Sequence, residues 1–566
     1  MAVDQSPMNK LITEHIDIWT SAVKTRSTSG RGSSKKLELY GVKKLRELIL
    51  ELAVRGKLVP QDPNDEPASV LLERISAEKA QLVKEKKITK PKKLAEVCDD
   101  EFSFELPSNW DIRRLPDVYY TISPSGKKLK SSDVLEHGTY PVIDQGQEAI
   151  AGYSNDEERV IDIESPIIIF GDHTRNIKYV DFSFVPGADG TKILCPIGIA
   201  PEFFYLQLRS YDIESRGYGR HFKILNENLF VIPSLEEQHR IVAKVDELMA
   251  LCDQLEQQTE ASIEAHQVLV TTLLDTLTNS ADADELMQNW ARISEHFDTL
   301  FTTEESIDQL KQTILQLAVM GKLVPQDPSD EPAAELLKRI TEEKAQIVKE
   351  KKIKKEKVLP PISEDEKPFE LPSGWEWCRL GQIGYDLGGG TPSKSNSKYW
   401  DGEIPWVSPK DMKVDFIESA IDTVTEKAIK ETTIKLIPKN SLLMVVRGMI
   451  LAHSFPVALT NRDVVINQDM KALVFSNIDP HYLLTVMKAT KTTFTDLVDR
   501  SSHGTCKLIS EKLWNVTLAI PPLNEQKKIN MMLEQIMDIC EQLKQGIRKK
   551  YQSQLHLTDT IVEQAV

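Results

Sequence analysis

At 566 residues the chain is long enough to bury several cores. Its 40% hydrophobic and 28% charged residues, with no apolar run near the roughly 20 residues that span a bilayer, exclude the disordered and membrane classes. A net charge of −16 excludes a lone, tight, non-specific nucleic-acid binder, which needs a basic footprint to neutralise phosphates. The six cysteines form no CxxC pair and no Cys/His cluster, so neither a zinc site nor a disulfide framework is expected. The N-terminus lacks the basic and apolar regions of a signal peptide, and a reducing cytoplasm is the expected compartment.

In chain order, a helix is expected over 9–24, followed by a flexible connector at 25–36 (TRSTSGRGSSKK), rich in Ser, Gly and basic residues. A second helix, 41–55, stops at Gly56, and Pro60 keeps it from resuming. Residues 45–88 then return almost unchanged at 310–353, identical at 32 of 44 positions, so helix 305–320 ends at Gly321 and Pro325 in the same way. Both copies run into Lys/Glu-rich segments (78–93 and 343–357) that read as solvated helices leading into linkers, or alternatively as basic arms near phosphates. FELPSNW at 104–110 recurs as FELPSGW at 369–375, and PSLEEQ at 233–238 recurs within PPLNEQ at 521–526. Each of the latter opens a long helix, 236–277 and 524–560, roughly 60 Å at 1.5 Å per residue. Ile241, Val245, Leu248, Cys252 and Leu255 step along the first in coiled-coil spacing, and Ile529, Leu533, Ile536, Cys540 and Leu543 step along the second. The two seams are expected to bury each other in an antiparallel pair.

Between these repeated frames lie two inserts, 111–232 and 376–520, whose sequences diverge. Both alternate β-formers with Gly, Asp and Pro breaks: YPVIDQG, ERVIDI, PIIIFGD and NIKYVDFSFV in the first, GEIPWVSPKDM, NSLLMVVRGMI and FPVALTNRDVVINQDM in the second. Helical patches follow at 201–212 and 480–490. Catalytic signals are missing. No phosphate loop, dinucleotide fingerprint, amino-methyltransferase motif or GxSxG occurs, and Asp172–His173 stands without a nucleophile at readable spacing. Binding chemistry is easier to find. Ser125, Lys127 and Lys128, then Gln145 and Gln147, His173 and Arg175, and Arg220, His221 and Lys223 are the first insert's candidates for contacts to DNA phosphates and base edges. In the second insert they are Thr391, Ser393, Lys394 and Lys398 on a Gly-rich loop, Ser408 and Lys410 after a strand, and Lys507. GRHFKIL and GTCKLIS place Lys223 and Lys507 at matching points near the insert ends, as a pair of phosphate clamps. Residues 104–233 hold 13 Lys/Arg against 19 Asp/Glu and residues 369–521 hold 17 of each, so any DNA surface is a local face.

On FELPSNW/FELPSGW, GGGTPSKSNSKYWDGEIPWVSPKDM, PSLEEQ/PPLNEQ and the LAVxGKLVPQDPxDEPA blocks, the whole chain resembles the DNA-specificity subunit of type I restriction–modification enzymes, in the sub-family with long direct repeats. The resemblance implies an α+β, pseudo-two-fold chain in which two globular α/β target-recognition domains are separated by a pair of long antiparallel helices. Its divisions would be an N-terminal helical region with the first frame (1–103), recognition domain 1 (104–232), a central spacer with the second frame (233–368), recognition domain 2 (369–520) and a distal spacer helix (521–566). It also implies a bipartite, asymmetric duplex DNA target, two methyltransferase subunits and two restriction/translocase subunits as partners. S-adenosylmethionine, ATP and magnesium would serve those partners, with no cofactor or metal in this chain. Two other readings stand beside it: a stand-alone DNA methyltransferase or nuclease, and a structural coiled-coil protein with two ligand-binding heads.

Overall fold

The computed structural model describes residues 7–27, 35–89, 94–98, 101–102, 104–187, 190–215, 217, 219–351, 353, 358–500 and 506–566. Parts of the 25–36, 78–93 and 343–357 segments, and of RGYGRHFK and GTCKLIS, therefore lie outside the described residues. The chain divides into two compact units, 1–263 with 550–566, and 264–549, and the division falls inside both long helices. Those helices run Leu235–Thr278 and Leu523–Ala565.

Each unit is a frame carrying an inserted α/β domain, named its reading domain for the role that the resemblance implies. In the first unit the repeated block folds as helix Tyr40–Val54, a turn, and helix Ala68–Lys84; in the second it folds as Glu304–Val319 and Ala333–Lys349. Gly56 (φ +69°) and Gly321 (φ +71°) take the left-handed conformation that closes the helix end, with the Lys57 and Lys322 amides donating to Leu52 O (3.0 Å) and Leu317 O (2.9 Å). A Cβ on either glycine would stand 2.5 Å from Cγ of Pro107 or Pro372, so the FELPS segment lies directly on the turn. The next residue holds a long-helix terminus. Lys57 Nζ donates to Val566 O, and Lys322 Nζ donates to Thr278 O (3.1 Å) and Ser280 O (2.8 Å), placing a cation where unpaired carbonyls gather.

The rest of the block grips the start of a long helix. Gln61 and Trp110 both donate to the Glu237 carboxylate, the indole at 2.8 Å. Gln326 and Trp375 do the same to Glu525, each at 3.1 Å. Both glutamates are almost fully buried, and burial raises their pKa, partly opposed by the two donors. Asp65 binds Arg240 at 2.5 Å, an interaction that lowers the Asp65 pKa, while Asp330 faces Lys528 at 3.6 Å. The neighbouring glutamines hold the reading domains. Gln238 accepts from the Ala200 amide (2.9 Å) and Gln526 from the Asp479 amide (2.8 Å), the N-cap residues of helices Pro201–Ser210 and Pro480–Ala489. Thus the three motifs that repeat in sequence meet in space.

Each seam is buried inside its own unit, where the expectation was a burial of one seam by the other. Ile241, Val245, Leu248 and Cys252 join the first unit's core with Leu45 and Ile49, with Leu255 packed at its margin. Ile529, Leu533 and Cys540 join the second unit's core with Leu310 and Ile314, flanked by Ile536 and Leu543. Arg46 bonds Asp253 and Glu256, both at 2.6 Å; Lys544 reaches Asp308 at 2.9 Å and Arg548 reaches Glu304 at 2.6 Å. The repeated helix of the same unit therefore covers each seam, because it offers a matching apolar stripe close by in the fold. Other expectations also change. The first helix is two pieces, Pro7–Glu14 and Ile16–Ser21, and the ends of the 25–36 connector pair as a hairpin, Lys24–Ser27 with Lys35–Glu38. ERVIDI is a short 3₁₀ turn at Glu157–Arg159 and a lone bridge from Ile161 to Phe184, not a strand. Helix Ala283–Glu295 was not expected from the sequence. On the Lys/Glu-rich helices, Lys79 donates to Pro116 O and Asp117 O (3.1 and 3.2 Å) and Lys344 to Gly381 O (2.8 Å), so these two lysines brace the reading domains.

The reading domains share one topology despite their sequences. An antiparallel pair carries the chain in and out: Asp111–Arg114 with Leu229–Ile232, and Glu376–Arg379 with Thr517–Ile520. A four-stranded antiparallel sheet in the first has the order 119–122, 191–196, 167–171, 177–180. The second has the order 384–388, 470–475, 442–445, 457–460, with Phe416–Ile417 added parallel at the edge. A smaller sheet centres on Tyr140–Ile143 or Trp400–Val407, each with one antiparallel and one parallel neighbour. Buried Arg379 anchors the second domain. It grips both Glu366 oxygens at 2.6 and 2.8 Å and donates to Pro361 O and Asn515 O, and it holds the Glu366 pKa down to about 2. A folded pKa below the ordinary 4.5 gives stability that is full above 4.5 and is lost as pH falls towards 2. Glu366→Gln is therefore expected to lower the urea midpoint of the second unit at pH 6–7, with the gap from wild type closing between pH 4.5 and 2. A gap that does not change with pH would sink this assignment.

Candidate nucleic-acid interface

In the first reading domain the candidate loops converge at one end of the sheets. The 144–148 turn is set by Asp144, which accepts from the Gly146 amide (2.8 Å) and faces the buried Lys178 ammonium (3.4 Å); Lys178 also donates to Glu148 O at 2.6 Å. That turn is stitched to the next loop. The His173 backbone amide donates to Gln145 Oε1 (3.2 Å), and the Thr174 hydroxyl and the Asn176 side-chain amide donate to Gln145 O. The Asp172 backbone oxygen accepts from the His221 amide (2.8 Å) and pairs with its Nδ1 (2.9 Å), while the Asp172 carboxylate accepts from the Phe222 amide (2.8 Å). On the far side, the Leu129 amide donates to Pro186 O, bringing the 123–130 loop to the same end.

The second domain repeats the construction with other residues. The Gly390 amide donates to Ile466 O, and the Asn467 amide to Val407 O, each at 2.9 Å. Thr391 donates to Gln468, and the Trp406 indole to Gly390 O at 2.9 Å. Ser408 caps its loop by donating to Asp411 from both its amide and hydroxyl, each at 2.8 Å. The Val446 and Arg447 amides reach Asp469 O, and the Leu508 amide reaches Val446 O. Loops 389–398, 407–411, 446–451, 466–469 and 506–507 thus form one continuous surface, to which Lys394, Lys398, Lys410, Arg447 and Lys507 contribute exposed cations.

The family described as "Type I restriction modification DNA specificity domain" matches residues 107–265 and 372–551, which are the two reading domains with the first parts of the long helices. The Type I restriction enzyme EcoAI specificity subunit of Escherichia coli is 41% identical over 99% of this chain and 100% of its own. The chain belongs to the specificity subunits of type I restriction enzymes. The EcoEI specificity subunit of Escherichia coli gives the same identity and coverage. A solved chain from a type I R-M system covers 82% of this one and 99% of itself at 17% identity, with a TM-score of 0.44. As a specificity subunit, the chain is a non-catalytic DNA-recognition component.

The candidate residues of this specificity subunit fall into groups. Ser125, Gln147, Arg220, Lys223, Ser393, Lys394, Lys398, Lys410 and Lys507 are exposed, and Lys128 is half-buried. Several are committed within the fold: Lys127 to Val160 O, Arg175 to Ile213 O (2.8 Å), Gln145 Oε1 to the backbone amide of half-buried His173, Thr391 to Gln468 and Ser408 to Asp411. His221 is fully buried, so it is a brace for the 172–176 loop and not a DNA contact, as its backbone and ring bonds to Asp172 require. The Lys223–Lys507 correspondence also changes. Lys223 sits on the helical turn Phe222–Leu225, whereas Lys507 lies in the short strand Cys506–Lys507. Because the His221 and Leu508 amides each bond the residue that follows an equivalent sheet strand, the partner of Lys507 is Arg220. Lys178 and Arg447 were not among the sequence candidates; each is a lone cation in a quoted β-forming string, NIKYVDFSFV and NSLLMVVRGMI, with no spacing that singles it out.

Proposed function

We propose that the two loop surfaces read the two halves of a bipartite, asymmetric site in duplex DNA, while the frame and long helices set the unspecified spacer and dock two methyltransferase and two restriction/translocase subunits. The observation that carries this is the same loop surface built twice on a repeated frame from unlike residues, which suits two different half-sites. Exposed amides, hydroxyls and cations on loops are the groups that position phosphates and read base edges. S-adenosylmethionine, ATP and magnesium would be held by the partner subunits, and the complex would work in the cytoplasm. No helix among the described residues is long and apolar enough to cross a membrane.

The direct test is to purify the chain with its methyltransferase partner, footprint it on genomic fragments, and map the methylated adenines. Protection of one bipartite sequence is expected; protection without sequence preference would overturn the reading. Incubating the chain alone with DNA and labelled methyl donor should transfer no label. Duplicating about one helical turn within 257–275 should lengthen the spacer, near one DNA turn of about 34 Å in the wild type, and leave both half-sites unchanged. An unaltered spacer in the methylation map would count against the helices as a ruler.

A further inference from the structure

The loop after the third strand of each main sheet separates the two reading domains. In the first domain it spans residues 172–176 and is polar, carrying Asp172, His173, Thr174 and Arg175. In the second it spans 446–456, and its 3₁₀ turn Met449–Ala452 lifts two apolar side chains into solvent, Met449 at 65% and Ile450 at 47% exposure. Single exposed apolar residues are ordinary, but two adjacent ones at the tip of a braced loop inside a polar binding surface are not.

The loop base is tied by hydrogen bonds. The Val446 and Arg447 amides bond Asp469 O (2.8 and 3.1 Å), the Gly448 amide bonds Cys506 O (3.0 Å), and the Ser454 amide bonds Ile450 O (2.9 Å). Arg500 donates to Ala452 O at 3.2 Å, and buried Leu451 anchors the turn beneath the tip. Gly448 has φ +133°, a conformation other residues rarely adopt, which turns the chain outward before Met449. Cations stand beside the tip: Arg447 and Lys507 bridge through their backbones, and both side chains are exposed. Arg447 lies 3.8 Å from Asp469, next to the Gln468 that binds Thr391. A polar protein partner or water gives such a tip nothing to bury against. A duplex offers phosphates to the cations and stacked base faces to the apolar pair.

We propose that Met449 and Ile450 form an apolar wedge that enters the duplex between neighbouring base pairs of the half-site read by the second unit, with Arg447 and Lys507 on the flanking phosphates. The inference rests on the reading of these loops as a DNA surface. Inserted apolar side chains unstack a base step and bend the duplex, and the cost is recovered from the extra contacts of the bent form. The corresponding loop of the first domain, 172–176, is polar, so the distortion falls on the second half-site.

The test uses the chain in complex with its methyltransferase subunits, on duplexes carrying 2-aminopurine at positions of the second half-site other than the methylated adenine. With wild type, fluorescence should rise at one step or two adjacent steps of that half-site and nowhere in the first. Met449→Ala/Ile450→Ala, two exposed positions that leave the core intact, should abolish the rise and weaken binding on the order of ten-fold. The dependence of affinity on salt should stay the same, because no phosphate-binding cation has been removed. Sequence-selective protection by wild type without any fluorescence change overturns the wedge alone. So does a double variant that keeps the fluorescence rise, or one that loses the methyltransferase subunits on gel filtration, which would make the tip a protein contact. Loss of all sequence-selective protection in wild type would overturn the underlying DNA reading as well.

Discussion

Exchanging residues 111–232 for the same region of another specificity subunit is expected to give a chain that reads a new first half-site and keeps the second. The reason lies in how the domain is attached. Its ends are the antiparallel strands Asp111–Arg114 and Leu229–Ile232, in register from Asp111↔Ile232 to Arg114↔Leu229, so chain entry and exit sit one strand spacing apart, about 4.8 Å. The clasp beside the pair belongs to motifs outside the exchanged segment: Trp110 on Glu237, Gln61 on Glu237, and Gly56 against Pro107. Frame side chains also reach inside and bond backbone groups there: Gln238 accepts from the Ala200 amide, which any residue except proline supplies, and Lys79 donates to Pro116 O and Asp117 O, while Arg114 of the exchanged segment reaches out to Glu101 at 2.8 Å. The methylated-adenine map of a host carrying the exchanged chain should show one half-site replaced completely. A map in which both half-sites change would refute the independence of the two domains.

Glu237→Ala should be the most damaging single substitution in the first frame. It removes the acceptor for both the Trp110 indole and the Gln61 amide at a site closed to water. An unsatisfied buried donor costs about 1–3 kcal/mol, so the loss should be about 2–4 kcal/mol, while Glu237→Gln, which keeps one acceptor oxygen, should cost about 1 kcal/mol. The pH dependence distinguishes this from a simple packing defect. Burial raises the Glu237 pKa above the ordinary 4.5, so the folded state holds its proton longer than the unfolded chain does. That contribution therefore favours folding most below pH 4.5 and fades as pH rises through the folded value, the reverse of Glu366. Urea unfolding across this range should show the slope in wild type and its disappearance in Glu237→Gln. A slope retained in the glutamine variant would assign it to another group. Glu525→Ala should do the same to the second unit, through Trp375 and Gln326.

The long helices were legible because coiled-coil spacing runs over 241–255 and 529–543 and a Pro-containing motif precedes each; the expected 236–277 and the observed Leu235–Thr278 differ by a residue at either end. Gly56 and Gly321 were legible for a local reason, since few residues other than glycine tolerate their φ. What the seams pack against was not legible. Periodicity gives the width of an apolar stripe but not its partner, and two kinds of amphipathic helix were available. The common topology of the reading domains was hidden because strand pairing is set by backbone register, which Ile168 and Leu443 satisfy equally well while sharing no wider pattern. At the interface, sequence located the loops but not the fate of each side chain. His221 and Lys410 look alike as polar loop residues, yet one is fully buried on Asp172 and the other is exposed. The clasp of Gln61, Trp110 and Glu237 had a usable signal: three residues of costly burial chemistry, each present again in the second copy as Gln326, Trp375 and Glu525.

Tyr40 donates to Asp559 at 2.7 Å, a contact that spans 519 positions of sequence, and Ile561 lies in the same core as Leu45 and Leu48. The first unit is therefore finished by residues that leave the ribosome after all of the second unit has been made. Between residues 263 and 550 the ribosome adds 287 amino acids, roughly 15–60 s of synthesis at 5–20 residues per second. For that time the groove that will receive 550–566 stays open, with apolar side chains presented to whatever else is nearby. Nascent-chain handling, more than equilibrium stability, then becomes the stage at which shortening the last turns of the chain would harm a domain encoded at its beginning.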